Sequence, residues 1–141
     1  MVQMISLIIG NKGSGKTKRL IEAVNNAADT TIGNVVCIEK GKKLMYDISH
    51  KVRLIDTEVY NISGYESFYG FISGMCAADY DVTDILIDAT LRIGGRDLNK
   101  LAAFFKKLSV LSSEAKTNLV FTVSCDESDL PAEIFESAKK I

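Results

Sequence analysis

Gly10-Asn11-Lys12-Gly13-Ser14-Gly15-Lys16-Thr17 matches the pattern G-x-x-x-x-G-K-[ST] without a departure. Each residue type in it answers a physical need. Glycines let the backbone take positive φ and turn its N–H groups inward around an anion. A helix that starts near Lys16 points its positive end at the same place. Lys16 adds a full charge, and the Thr17 hydroxyl is an oxygen donor suited to a hard cation. With glycine near 7% of average composition, a chain of this length would match by chance in roughly one case in two hundred. The context lowers that figure further. The short run Ile5-Ser6-Leu7-Ile8-Ile9 is β-branched and ends at the first glycine, so it predicts a buried strand. Leu20, Ile21, Val24, Ala27 and Ala28 recur at helical spacing beyond it.

Outward from this strand–loop–helix unit the alternation continues. Val35 to Ile38 predicts a second strand and Val52 to Ile55 a third. Phe68, Phe71, Ile72 and Met75 mark an amphipathic helix, and Ile85-Leu86-Ile87 a fourth strand ending at Asp88. Asp97 is placed to cap a helix whose apolar face is Leu98, Leu101, Phe104 or Phe105, Leu108 and Leu111. Leu119 to Val123 predicts a fifth strand. A last helix is expected from about Asp129-Leu130-Pro131, burying Ile134, Phe135 and Ala138. Strands this uniformly apolar are buried on both faces. The expected fold is therefore a three-layer α/β/α domain over residues 1–141, with a mostly parallel five-stranded sheet and helices on both sides.

The complete motif is the Walker A element, and the chain resembles the P-loop NTPases. That resemblance implies Gly10 to Thr17, with Lys18 beside them, as the binding residues for a nucleoside triphosphate. Lys16 is expected on the β- and γ-phosphates and Thr17 on Mg²⁺. In the deviant Walker loops of the ParA and MinD type a second lysine follows the first glycine. Here Asn11 holds that place, and Lys12 reads as an exposed loop lysine. Asp84-Ile85-Leu86-Ile87-Asp88 has the form of a Walker B strand, with Asp88 either holding Mg²⁺ opposite Thr17 or simply ending the strand.

The order of parts is similar to the RecA-like branch, which includes RecA, DnaB-type helicases and KaiC-type ATPases, from Ile5 to Ser124. In that branch the catalytic carboxylate stands at the end of the strand after the first helix. Glu39 occupies this position, and it reads either as the base or as a solvated strand end beside Lys40, Lys42 and Lys43. Ala89 stands directly after Asp88, where many P-loop ATPases have a glutamate. The resemblance also implies that the strand ending at Ser124 lies between the phosphate-loop strand and the Asp88 strand, with Thr122 or Ser124 sensing the γ-phosphate. Arg92 and Arg96 flank Ile93-Gly94-Gly95 in an expected loop, as an arginine finger, a partner contact or solvated side chains.

The expected activity is Mg²⁺-dependent ATP hydrolysis, with Lys16, Glu39 and Asp88 as its catalytic residues. The alternatives are a nucleotide-binding switch or accessory protein with little turnover, or a small-molecule kinase. The kinase reading is weakened because no arginine-bearing lid insertion is visible. No N/T-K-x-D guanine signal occurs, which leaves adenine by default. A protein partner or a second copy is expected. Seventeen Lys and Arg against eighteen Asp and Glu give no global pull toward nucleic acid. No apolar run reaches the ~20 residues of a membrane span, and Met1 to Ile9 does not read as a leader. Three cysteines without C-x-x-C spacing predict buried small hydrophobes in a reducing, cytoplasmic setting. The lone His50 predicts no metal site.

Overall fold

The computed structural model describes residues 4–141, so the part of the leader expectation that falls on residues 1–3 lies outside it. Strand β1, Ile5–Gly10, runs into helix α1, Lys16–Thr30. Strand β2, Asn34–Glu39, and strand β3, Arg53–Asp56, follow. Helix α2, Tyr65–Ala78, leads to strand β4, Val82–Asp88. A one-turn helix α3, Thr90–Gly94, precedes the long helix α4, Leu98–Ala115, and strand β5, Asn118–Ser124. A 3₁₀ turn, Glu127–Asp129, a short helix α5, Ile134–Ser137, and strand β6, Lys139–Lys140, complete the order.

All strand pairs are parallel, and the six strands lie in the order β3-β2-β4-β5-β1-β6. The β5 strand thus lies between β1 and β4, as expected. The expected count of five is corrected to six. Two lysines carry no apolar signal, yet Lys139 and Lys140 pair with Ser6 and Leu7 on the outer edge of β1. The same ending corrects the expected last helix. The chain must return to the sheet edge, so α5 stops after one turn, with Ala138 already extended and Ile134 and Ala138 buried.

Period-two alternation splits the strands between two cores. On one face Ile8, Val35, Cys37 and Leu86 pack with Leu20 and Val24 of α1 and with Leu44, Ile48 and Val52 from the β2–β3 connection. On the other, Leu7, Ile38, Ile87 and Phe121 pack with α2 and α4. Both Phe104 and Phe105 are buried, because α4 is wedged between the sheet and α2. Phe104 stacks on Phe68 with ring centroids 5.1 Å apart, while Phe105 meets Phe121 edge-on at 5.1 Å. Asp97 caps α4 as expected, its carboxylate accepting from the N–H groups of Asn99 and Lys100. With α1 on one face and the other helices opposite, the layers are α/β/α. The connections leaving β1 and β5 diverge to opposite faces, which opens a crevice at their carboxyl ends.

Candidate functional site

The crevice is a cavity of about 970 Å³ lined from the ends of β1, β4 and β5 and from the β2–β3 connection. Its first wall is the loop from Gly10 to Thr17. Gly13 and Gly15 have φ of 87° and 86°, a region that L side chains avoid, and Gly15 is the N-cap of α1. No side chain caps that helix end, so its first N–H groups are left for a ligand or water. Lys16 is 8% exposed. Its Nζ folds back onto the loop, donating to the Asn11 carbonyl at 3.0 Å and to Ser14 Oγ at 3.5 Å. The Asn11 side chain also bonds Asp126, whose carboxyl is held low chiefly by the Ser128 N–H and hydroxyl. This ties the glycine loop to the segment after β5.

Asp88 ends β4 beside this loop. Thr17 Oγ1 donates to its Oδ2 at 3.4 Å, and Thr122 Oγ1 donates to its Oδ1 at 2.7 Å. Thr122 therefore orients the carboxylate, while Ser124, at the end of the same strand, lines the cavity. Thr17 and Asp88 are hard oxygen donors. No cluster of three or more His, Cys, Asp or Glu that could hold a metal exists among the described residues. That donor set fits Mg²⁺, which takes one or two protein oxygens and keeps waters or phosphate oxygens for the rest.

The arginine-bearing segment is not the plain loop expected. Thr90 to Gly94 form a helical turn with Leu91 and Ile93 buried. Five residues interrupted by glycine give too short a period to register as a helix in sequence. Tyr65 fastens its end: the phenol donates to the Gly95 carbonyl at 2.6 Å, and a Cβ on Gly94 would enter the Tyr65 ring. Arg92 and Arg96 both line the cavity, and Arg96 Nη2 donates to the Ser124 carbonyl at 3.4 Å.

Lys12, Lys16, Lys18, Lys43, Arg92 and Arg96 line the cavity against a single carboxylate, Asp88. A strongly anionic ligand is what such a wall attracts. Of the predicted residues, Asn11 to Gly13, Gly15 to Lys18, Asp88 and Ser124 line one crevice, whereas Gly10 and Ser14 are not among its lining residues.

Glu39 does not line it. It is 3% exposed, with Oε1 accepting from the Lys43 N–H at 3.1 Å and Oε2 from the Leu44 N–H at 3.0 Å. Burial pushes its carboxyl up, the two N–H groups oppose that, and Asp88 and Asp56 add to it. A general-base role would require it to release Lys43 and Leu44. Sequence reasoning passed over Lys43 and Leu44 as lining residues. The signal for them was Leu44, Ile48 and Val52 at spacings of four, an apolar stripe that marks the connection as packed. Cys37, two residues before Glu39 on β2, is buried with its thiol pushed up to about 12, first by desolvation and then by Glu39 and Asp88. His50 is exposed. No helix among the described residues is long and apolar enough to cross a membrane. No protein-family model matches the chain, and no curated protein matches it by sequence.

Proposed function

We propose that this chain is a P-loop nucleotide-binding protein of RecA-like type whose ligand is ATP carried with Mg²⁺. One observation carries the reading: Thr17 and Asp88, separated by 71 positions, meet at 3.4 Å at the mouth of the glycine loop. In this reading Lys16 leaves the Asn11 carbonyl for the phosphates, and the N–H groups from Gly13 to Thr17 surround them. Thr17 and Asp88 hold the metal, with Thr122 fixing the carboxylate. A Mg²⁺ held there would supply positive charge to offset that of the phosphates. Arg92, Arg96 and Ser124 line the same cavity and would meet the same phosphates.

A second reading, a nucleotide-held switch or accessory protein with slow turnover, is favoured by a specific feature. Asp88 is the sole carboxylate lining the cavity, Ala89 follows it, and Glu39 is engaged by the loop. Fast hydrolysis would then require a group from a protein partner or a second copy, and a cytoplasmic setting supplies the nucleotide.

The test is calorimetric titration of ATP into the parent and Asp88→Asn across a Mg²⁺ series, with phosphate release followed in parallel. The parent should bind MgATP, and the variant should need about tenfold more Mg²⁺ for the same affinity. An unchanged Mg²⁺ dependence would reduce Asp88 to a strand-end residue. Turnover in the parent alone separates the ATPase from the switch.

A further inference from the structure

The geometry points to Lys43 as the cation that meets the terminal phosphate of the nucleotide, carried there on a loop that Glu39 and Asp56 clasp. The inference rests on the nucleotide reading above and deepens it, because it names what distinguishes a triphosphate from a diphosphate in this site.

Glu39 pairs across the sheet with Asp56 on β3 and with Asp88 on β4. Because side chains in register share a face, three carboxylates stand in a row at the carboxyl edge. Like charges so placed repel, and the row persists because each member is otherwise engaged, Asp88 by the hydroxyls of Thr17 and Thr122. Glu39 accepts from the N–H groups of Lys43 and Leu44. Asp56 Oδ1 accepts from those of Gly41 and Glu58, each at 2.9 Å. The backbone from Gly41 to Leu44 is thus held at three points by acids from two strands. Gly41, at φ 109°, supplies the turn that lets it double back.

Leu44 closes the arrangement from the other side. It is 3% exposed and packs with Leu20 and Val24 of α1. With its neighbour pinned in the core, Lys43 stays exposed and lines the cavity. The sheet order puts β2 beyond β4, on the side away from β5 and β1. A phosphate chain cradled by Gly10 to Thr17 and passing the Thr17–Asp88 pair therefore reaches Lys43 last. Glu39 is a positioning residue in this scheme. A carboxylate accepts both N–H groups, whereas a glutamine amide would set a donor against one of them.

The experiment measures MgATP and MgADP affinity by calorimetry on the full chain. Lys43→Met should weaken MgATP about tenfold, the scale of one charge-assisted contact, and change MgADP less than twofold. Lys43→Arg should restore the preference. Glu39→Gln should shift MgATP in the same direction, and the double variant Glu39→Gln/Lys43→Met should be no weaker than the worse single one, since the two act through one contact. In turnover, Glu39→Gln should raise KM for MgATP and keep kcat.

Equal losses on both nucleotides, or none, in Lys43→Met would overturn the assignment. So would additive losses in the double variant, or a Glu39→Gln chain that binds MgATP normally but has lost turnover. Lys16→Ala separates the two levels of failure. If it abolishes binding while Lys43→Met leaves the ATP-to-ADP ratio intact, Lys43 alone is wrong. If neither variant changes MgATP binding, the nucleotide reading falls and this inference falls with it. The Lys43 variants alter an exposed side chain, so they decide the matter even if Glu39→Gln does not fold.

Discussion

Replacing Lys16 by methionine should separate ligand binding from stability, with opposite signs. Lys16 is 8% exposed, and its ammonium donates only to neutral oxygens, the Asn11 carbonyl and Ser14 Oγ. The ion pairs among the described residues, Lys51–Asp29 and Lys140–Glu127, do not include it. A buried cation without a counter-charge costs folding free energy, and methionine keeps the length while removing the charge. The ligand-free variant should therefore melt at the parent's temperature or slightly above it. Binding should suffer. Two charge-assisted contacts to phosphate at about 1.5 kcal/mol each come to about 3 kcal/mol, or roughly 150-fold in affinity. MgATP at about 100 times the parent's Kd stabilises the parent by about 2.7 kcal/mol and the variant by only about 0.3 kcal/mol. For a chain of this size that is a midpoint shift of about 9 °C against about 1 °C. Scanning calorimetry with and without MgATP reads both numbers. Equal ligand-induced shifts in the two proteins would refute the phosphate role. A ligand-free variant melting more than about 5 °C below the parent would refute the claim that the charge serves the ligand at the expense of the fold.

Phe121→Ala should cost about 3–5 kcal/mol by chemical denaturation, since its fully buried ring meets Phe68, Phe104 and Phe105; a loss under about 1 kcal/mol would mean that the aromatic cluster is not the core's anchor. Asp56 has a carboxyl held below its usual range by the N–H groups of Glu58 and Gly41. A lowered folded-state value contributes stability that is present above the ordinary aspartate range and lost as pH falls through the lowered value. Asp56→Asn should flatten that acid limb of the melting-temperature profile, and an unchanged limb would show that the loop clasp does not depend on its charge.

How much of this was legible in sequence depends on the range over which each feature is determined. Gly10 to Thr17 was readable because its constraints are local: two positive φ values, a buried lysine and a hydroxyl, all within eight positions. Asp97 was readable for the same reason, since an N-cap bonds N–H groups two and three residues away. Strand β6 was not, because its pairing depends on the free edge of β1 and not on its own two lysines. Glu39 shows the limit most clearly. Its position at the end of β2 was correct, but its neighbours Asp56 and Asp88 arrive through β3 and β4. Its hydrogen bonds turn back into a connection whose path no local pattern specifies. The position of a strand-end carboxylate follows from the chain; what it bonds follows from the sheet.

Charge placement separates the candidate ligands further. The cavity carries six cationic side chains and one carboxylate, a balance of +5, in a chain whose formal charge is −1. The remainder of the molecule therefore carries −6. A long polyanion such as nucleic acid must lie along an extended surface, and outside the cavity the chain carries a net negative charge. A small polyanion meets a different field. It can enter the crevice at the carboxyl ends of β1, β4 and β5, where partly enclosed walls focus the positive potential. A near-zero net charge is thus the sum of two opposed regions, a net positive crevice around the glycine loop and a net negative remainder.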